Sequence, residues 1–487
     1  MSKHILFLVI LFLGLLPAGC RKFEDINTDP TRPSTGDPAY LLSYAEKRAV
    51  DIFYDGAYNG KLGMQYAQYW TQAIPTQESR YQVNNDGIWA QLYAGPLMDL
   101  REIEHYYSRN PQMMNPHTLA VARILKAWIF HTLTDMYVDI PFSQALRIEE
   151  IPYPAYDHAA DIYTALLGSL QTQIEVLEQT TAPPIEGDLL AGGDVQRWIK
   201  IANALRLRIA MRMSDVRPDE AASVIGEASQ HTFTSVADDL FFAYDVNVKT
   251  NQFPYNDNER QLFEFAMSST LIDYMKATGD PRLPVYARLP ASGGNEYRGK
   301  PYGRAENTPV LNDLSIPGRA VYAANMRGYI ITYAETEFIK AEAAARGMNV
   351  GGTAREFYES GIRASMDQWR SLPSVTIDSL AEEQYLRSVP YNAGNWKNVI
   401  GTQKWLALYM QGFQAWIERL RLDFKKPDGT DLFIPPVSGS LDPDVTDVPR
   451  RLAYPGNERN SNSVNCNAAA RRIGGDTKGT RNWWDIN

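Results

Sequence analysis

The chain has 487 residues, 44% of them hydrophobic and 22% charged, which is enough for a large core or two to three ordinary domains. Its formal net charge of −9 excludes a protein that works by nonspecific nucleic-acid binding, which needs basic surface to replace counterions. Two cysteines exclude a disulfide framework, and no stretch beyond residue 20 is apolar for long enough to read as a membrane-spanning helix.

The first element in chain order is a targeting segment. Lys3 and His4 give a positive start, Ile5 to Leu16 is apolar but too short to span a bilayer, and Leu16-Pro-Ala-Gly-Cys20 follows. This layout resembles a bacterial lipoprotein signal. It implies removal of residues 1–19 and a lipidated Cys20 as the new N-terminus, carrying a thioether-linked diacylglycerol and an N-acyl (palmitate-type) chain. More than one acyl chain is what makes such an anchor durable. Residues 20–38 read as an extended tether, because Asn27, Asp29, Pro30, Pro33, Gly36 and Pro38 break regular structure.

Helical spacing begins near Ala39, with Leu42, Ala45, Ala49, Ile52 and Phe53 on one face. The clearest helix is 117–137, where Val121, Leu125, Trp128, Ile129, Leu133 and Met136 form a wide apolar stripe, His131 reads as a core histidine and Pro141 ends the segment. A second helix is expected over 157–178 with Asp157 as its N-cap, and a third over 194–213. In the third, Arg206, Arg208 and Arg212 alternate with aliphatic residues. In an acidic protein they are expected to bind carboxylates inside the fold. Two segments have the small-large-small spacing of tetratricopeptide second helices: Ala354, Tyr358 and Gly361, and, with an aliphatic in the aromatic place, Ala221, Ile225 and Ala228.

Between the helices lie long irregular stretches at 244–260 and 280–320, and 424–487 reads as loop almost throughout. The expected architecture is therefore mostly α: an interrupted tetratricopeptide-like helical-repeat scaffold with a loop-rich second lobe and little sheet. The scaffold covers about 39–240 and 325–423, the loop-rich lobe about 241–324 and 424–487. Catalytic and cofactor signatures are missing: there is no His-Glu-x-x-His, no Gly-x-Ser-x-Gly, no Cys-x-x-Cys and no dinucleotide glycine fingerprint. No cofactor and no metal is expected, the six histidines being dispersed. A pair of glycosidase carboxylates, which has no spacing signature, stays open among 57 acidic residues.

Several segments together resemble the SusD/RagB family of surface lipoproteins. They are Phe23-Glu-Asp-Ile-Asn-Thr-Asp-Pro30, Thr134-Asp-Met-Tyr-Val-Asp-Ile-Pro-Phe-Ser-Gln-Ala-Leu146, Trp198 to Arg212, Thr332 to Gly347, Gln403 to Trp416, Tyr454-Pro-Gly-Asn-Glu458 and Arg481-Asn-Trp-Trp-Asp485. They span nearly the whole chain in order. Departures are Ile417 to Phe424, where relatives often carry paired Arg and a Pro turn, and residues 461–475 around Cys466. The resemblance implies one SusD-like domain over 39–487, anchored through Cys20 to the outer face of a Gram-negative outer membrane. There it caps a SusC-like, TonB-dependent transporter and binds nutrient oligomers without altering them. Relatives bind glycans and some bind peptides, so oligosaccharide and peptide are both open as ligand, and nucleic acid is not expected.

The family's ligand residues vary from member to member, so candidates come from composition. Sugar rings stack their C–H faces on aromatic side chains while hydroxyls bond to amides and charged groups. Trp70, Tyr81, Asn84 and Asn85 form the first candidate patch; Tyr286, Tyr297, Tyr302 and Arg304 form the second. Three functions are weighed: a binding lipoprotein feeding a transporter, a surface glycosidase, and a helical scaffold without a small ligand.

Overall fold

A computed structural model describes residues 36–83, 85–179, 181–255 and 264–486. Cys20, the tether up to residue 35 and Asn84 lie outside these.

The scaffold is built from capped helices whose apolar faces meet. Helix α1 (Pro38–Phe53) starts where Asp37 accepts the Ala39 amide at 2.9 Å and Pro38 presets the first turn. Two helices follow, α2 (Asp86–Leu92) and α3 (Met98–Arg109). The long α4 (Pro116–Tyr137) is capped by Asn115 and opens on Pro116. It stops at Val138, whose φ of +72° breaks the helix three residues before Pro141. Helix α5 (Ala159–Gln179) starts two residues later than expected, because Asp157 has another task. Its carboxylate accepts the Phe142 and Ser143 amides at 3.0 and 2.9 Å, and Asp139 instead takes the Ala159 amide at 2.8 Å.

Helices α6 (Val195–Arg212) and α7 (Pro218–Ala228) continue the array, packed in the succession α4, α5, α6, α7. Ala221, Ile225 and Ala228 of α7 are fully buried. After a long excursion that includes α8 (Ser269–Thr278), the array resumes with α9 (Tyr333–Ala345) and α10 (Ala354–Arg370), the second opened by a capping box between Thr353 and Glu356. Gly361 lets the two approach: a Cβ there would lie 2.9 Å from the Phe338 ring. Helices α11 (Ser379–Ser388), α12 (Trp396–Ala407) and α13 (Gly412–Leu422) complete it, with α9 packed on both α6 and α12.

Among the described residues the sheet is two antiparallel pairs: β1 (Trp70–Gln72) with β3 (Phe265–Met267), and β2 (Leu240–Ala243) with β4 (Arg327–Ile331). The protein is thus mostly helical, a helical-repeat scaffold with a loop-rich second lobe. The C-terminal stretch is more ordered than its composition implies, since α14 (Ser463–Arg472) runs through it and buries Cys466 and Ala469.

The arginines of α6 meet carboxylates inside the fold. Arg208 pairs with Glu335 of α9 at 2.6 Å and donates to the Ile330 carbonyl at 2.7 Å. Arg206 reaches Glu227 at 2.9 Å. Arg212 pairs with Asp135 of α4 at 3.2 Å and with Glu418 of α13. Glu418 continues to Lys404 at 3.0 Å and Arg421 at 2.8 Å, and Arg421 to Glu342 at 2.6 Å. Every one of these groups except Glu227 is buried, so the ions form a charged spine through α4, α6, α9, α12 and α13. Burial opposes ionisation of Glu342, yet the Arg421 guanidinium holds its carboxyl down to about 2. His131 sits against the spine, fully buried, 3.5 Å from Asp135.

Candidate functional site

The two candidate patches, far apart in sequence, meet at one face of the loop-rich lobe. The β1 strand pairs with β3, so Trp70 faces Met267 across the register. Directly after β3, Ser268 bridges to Lys300. The Lys300 ammonium donates to the carbonyls of Gln72 and Ala73, both at 2.9 Å. It is buried without a carboxylate, and that burial, with Arg304 nearby, pushes its pKa down to about 8. One turn on, the Gly303 amide donates to Thr71 Oγ1 at 3.1 Å. Gly303 has φ +66° and a Cβ there would lie 2.4 Å from Pro436, so the chain needs glycine on both counts.

A third segment, 434–441, closes over the first two. Val437 donates to the Tyr302 carbonyl at 2.9 Å and Ala305 to Ser438 Oγ at 2.9 Å. Arg80 donates through Nε to the Gly439 carbonyl at 2.8 Å and through a terminal nitrogen to the Ser438 carbonyl at 2.9 Å, while its own carbonyl accepts the Leu441 amide at 2.8 Å. The loops expose apolar side chains at Ile74, Val437 and Leu441, with Gln77, Gln82, Arg304 and Glu306 among them. Arg304 Nε has no hydrogen-bond partner among the described residues. A face of this kind offers apolar patches to C–H surfaces and amide, guanidinium and carboxylate groups to hydroxyls.

The candidate residues divide by depth. Trp70, Tyr81, Tyr286 and Tyr302 are fully buried. Trp70 donates its indole N–H to the Tyr409 hydroxyl at 3.0 Å, and Tyr286 donates to the Leu406 carbonyl at 2.9 Å. Tyr81 sits at φ +72°, which turns its ring inward against Tyr66 and Tyr302, with its hydroxyl on the Asp447 carbonyl. Asn85 is nearly buried and donates to the Ala453 carbonyl at 3.0 Å. All five point into the fold and do not reach a ligand lying on the face: Tyr81 and Tyr302 pack on each other beneath it, whereas Trp70 and Tyr286 are held against Tyr409 and Asn85 against Ala453. Tyr297 and Arg304 are partly open. Sequence reasoning missed Arg80, Lys300 and Ser438. Their partners are hundreds of residues away, and no local pattern marks them.

The surface holds two further clefts. One of about 410 Å³ lies behind the 431–435 segment, walled by Asp423, Lys425, Asp431, Phe433, Arg450 and Arg481. Another, of about 390 Å³ and mainly apolar, lies over Trp89 and Tyr93 with Ile148, Pro152 and Glu458. Among the described residues no three His, Cys, Asp or Glu side chains are grouped to hold a metal ion, and no helix is long and apolar enough to cross a membrane.

A helical-repeat scaffold bearing a loop-built face places the chain in a class for which sequence gives the family. The profile described as "Starch-binding associating with outer membrane" matches residues 30–455, and the chain belongs to this SusD-like family. Among solved structures it is similar to a chitin-binding protein at 28% identity and a TM-score of 0.82, covering 93% of this chain and all of that one. A chitin-binding SusD homologue from Flavobacterium johnsoniae (23% identity, TM-score 0.77, 92% and 98% covered) and a SusD homologue from Bacteroides uniformis (23%, 0.77, 93% and 100%) share the fold. A search of curated proteins finds no match.

Proposed function

We propose that this protein is a glycan-binding lipoprotein of the outer-membrane surface, tethered through Cys20, that holds oligosaccharides on the face built by segments 72–82, 297–306 and 434–441 and delivers them unchanged to a SusC-like, TonB-dependent transporter. The observation that carries the reading is the family match over residues 30–455, joined to a 28%-identical relative described as chitin-binding over its whole length. Tyr297 and Arg304 are the sequence candidates that touch ligand directly in this reading. Tyr81 and Tyr302 pack beneath the face, and Trp70, Asn85 and Tyr286 serve the core. Chitin-type oligomers of N-acetylglucosamine are the first ligand to test.

The test is titration of the purified chain, in detergent, with chito-oligosaccharides, malto-oligosaccharides and a peptide library, followed by chromatography of the recovered ligand. Retention of a glycan with no product supports the proposal. Retention of peptides alone transfers the role to a peptide receptor, and product that disappears on changing one carboxylate makes the protein a glycosidase. Labelled palmitate should enter the wild-type chain and not Cys20→Ala. Equal labelling of both would remove the anchor.

A further inference from the structure

A chain of net charge −9 must concentrate positive charge deliberately to make any cationic site. One such concentration lies in the scaffold, away from the loop-built face. A cleft of about 280 Å³ opens between α3, α4, α5 and the 142–147 segment. Arg101, Arg123, Lys126 and Arg147 stand in its wall, and Glu104 is the one carboxylate among the lining residues. Lys126 and Arg123 share that carboxylate, at 2.7 and 3.3 Å. Arg101 Nε donates to the Leu146 carbonyl at 3.0 Å, which fixes the guanidinium in the wall, where the Glu150 carboxylate also attracts it. Arg147 pairs with Glu150 at the exposed rim. Counting Glu150 as well, two positive charges remain unanswered.

The floor is different in kind. Ala127, Phe130, Phe142 and Leu166 line it, and the Ser143 and Ser169 residues stand at its edge. The Phe130 and Phe142 rings pack edge to face at 5.0 Å, so the floor is preformed. Cationic walls over an aromatic floor fit one kind of guest: a negatively charged group on a body with an apolar face. Guanidinium groups bind oxyanions through paired N–H donors, and a partly enclosed wall weakens screening by water and salt. The volume lies just below the usual range for small-ligand pockets, about 300–1,000 Å³, which suits a single ring better than an oligomer.

We propose that this cleft is a second ligand site, specific for one monosaccharide-sized unit bearing a phosphate, sulfate or carboxylate. It shares no residue with the loop-built face and does not rest on the function proposed for that face.

The experiment is titration calorimetry of the full chain with glucose 6-phosphate, N-acetylglucosamine 6-sulfate and glucuronate, each against its neutral parent sugar, and with inorganic phosphate and sulfate alone. The expected result is binding of at least one charged sugar about tenfold or more tighter than its parent, weakening as salt is raised, and reduced about fivefold or more in Arg101→Gln and in Arg147→Gln. Arg147 is at the rim, so its variant keeps the test open if Arg101→Gln fails to fold. Equal affinity for charged and neutral sugars, indifference to salt, or unchanged affinity in a folded variant overturns the proposal. Inorganic phosphate binding as tightly as the sugar phosphate overturns the part assigned to the aromatic floor and leaves a free-oxyanion site.

Discussion

Charge is used in two ways in this molecule, and the helical scaffold and the loop-built face show one each. In the scaffold, ions meet ions: Arg421 with Glu342 and Glu418, Arg212 with Asp135, Arg208 with Glu335. In the face, ions meet backbone: Lys300 with the Gln72 and Ala73 carbonyls, Arg80 with those of Ser438 and Gly439. An ion pair needs a particular residue at both ends, so it specifies which helices are neighbours. A carbonyl is supplied by any residue, so a loop that accepts from Lys300 or Arg80 keeps its path while its own side chains are free to differ. The scaffold is thereby tied to its sequence. The face keeps its shape and leaves its outward side chains available for ligand choice.

The comparison breaks first at the spine. Arg421→Met leaves Glu342 and Glu418 facing each other with less compensation in a dry interior. Removing one partner of a buried pair costs about 3–5 kcal/mol. Denaturant unfolding should show that loss, and a change below about 1 kcal/mol, the scale of a surface pair, would mean that the spine is not a determinant of the fold.

A second break comes from acid. Burial pushes His131 down to about 4 from an ordinary 6.5, so the unfolded chain takes up a proton that the folded chain refuses between those values. Stability contributed by the neutral imidazole is complete above pH 6.5 and is lost as pH falls towards 4, by about 3 kcal/mol at 1.36 kcal/mol per unit. Glu342 loses its contribution only lower, between its ordinary 4.5 and about 2, so the windows separate. His131→Gln should flatten the stability profile between pH 6.5 and 4. An unchanged slope would assign that acid limb to other groups.

The scaffold was legible because its rules are local. The alternation of Arg206, Arg208 and Arg212 with aliphatic residues in an acidic chain called for internal carboxylates, and Glu227, Glu335, Asp135 and Glu418 supply them. Ala221, Ile225 and Ala228 are buried at the expected spacing, as are Tyr358 and Gly361, while Ala354 of the second triplet is only half-buried. The face was legible only as two unrelated aromatic patches. Their meeting depends on hydrogen bonds such as Lys300 to Gln72 and Arg80 to Ser438, which no periodicity encodes. Depth was hidden too. A loop tyrosine beside amides reads alike whether it points out or in, and the left-handed backbone at Tyr81 turns it in. Abundant tryptophan also serves packing first: Trp70, Trp198, Trp369, Trp405, Trp416 and Trp484 are all fully buried.

A smaller effect tests whether the face owes its shape to backbone. Gly303→Ala adds a Cβ 2.4 Å from Pro436 at a positive φ, and the strain of a non-glycine residue there is about 1–3 kcal/mol. The expected outcome is a modest loss of stability together with a loss of glycan retention, since the 434–441 segment must shift. Retention intact in a destabilised protein would separate the face from the site.

The smallest expected stability change falls on the outward side chains, and it sharpens the comparison most. Tyr297 and Arg304 are partly open, and neither belongs to the backbone-directed contacts that lace the three segments together. Substitutions away from core and networks usually stay within about 0.5 kcal/mol. Arg304→Ala should therefore melt like the parent chain, and Tyr297→Ala, whose ring also packs against the core, should lose about 1 kcal/mol. Both should lose glycan affinity about five- to tenfold, in the range of a lost stacking contact or charge-assisted hydrogen bond. If both variants bind oligosaccharide as the parent does, the ligand lies elsewhere. The cleft of about 410 Å³ behind the 431–435 segment, lined by Leu432, Phe433, Asp423 and Arg481, then becomes the place to substitute next.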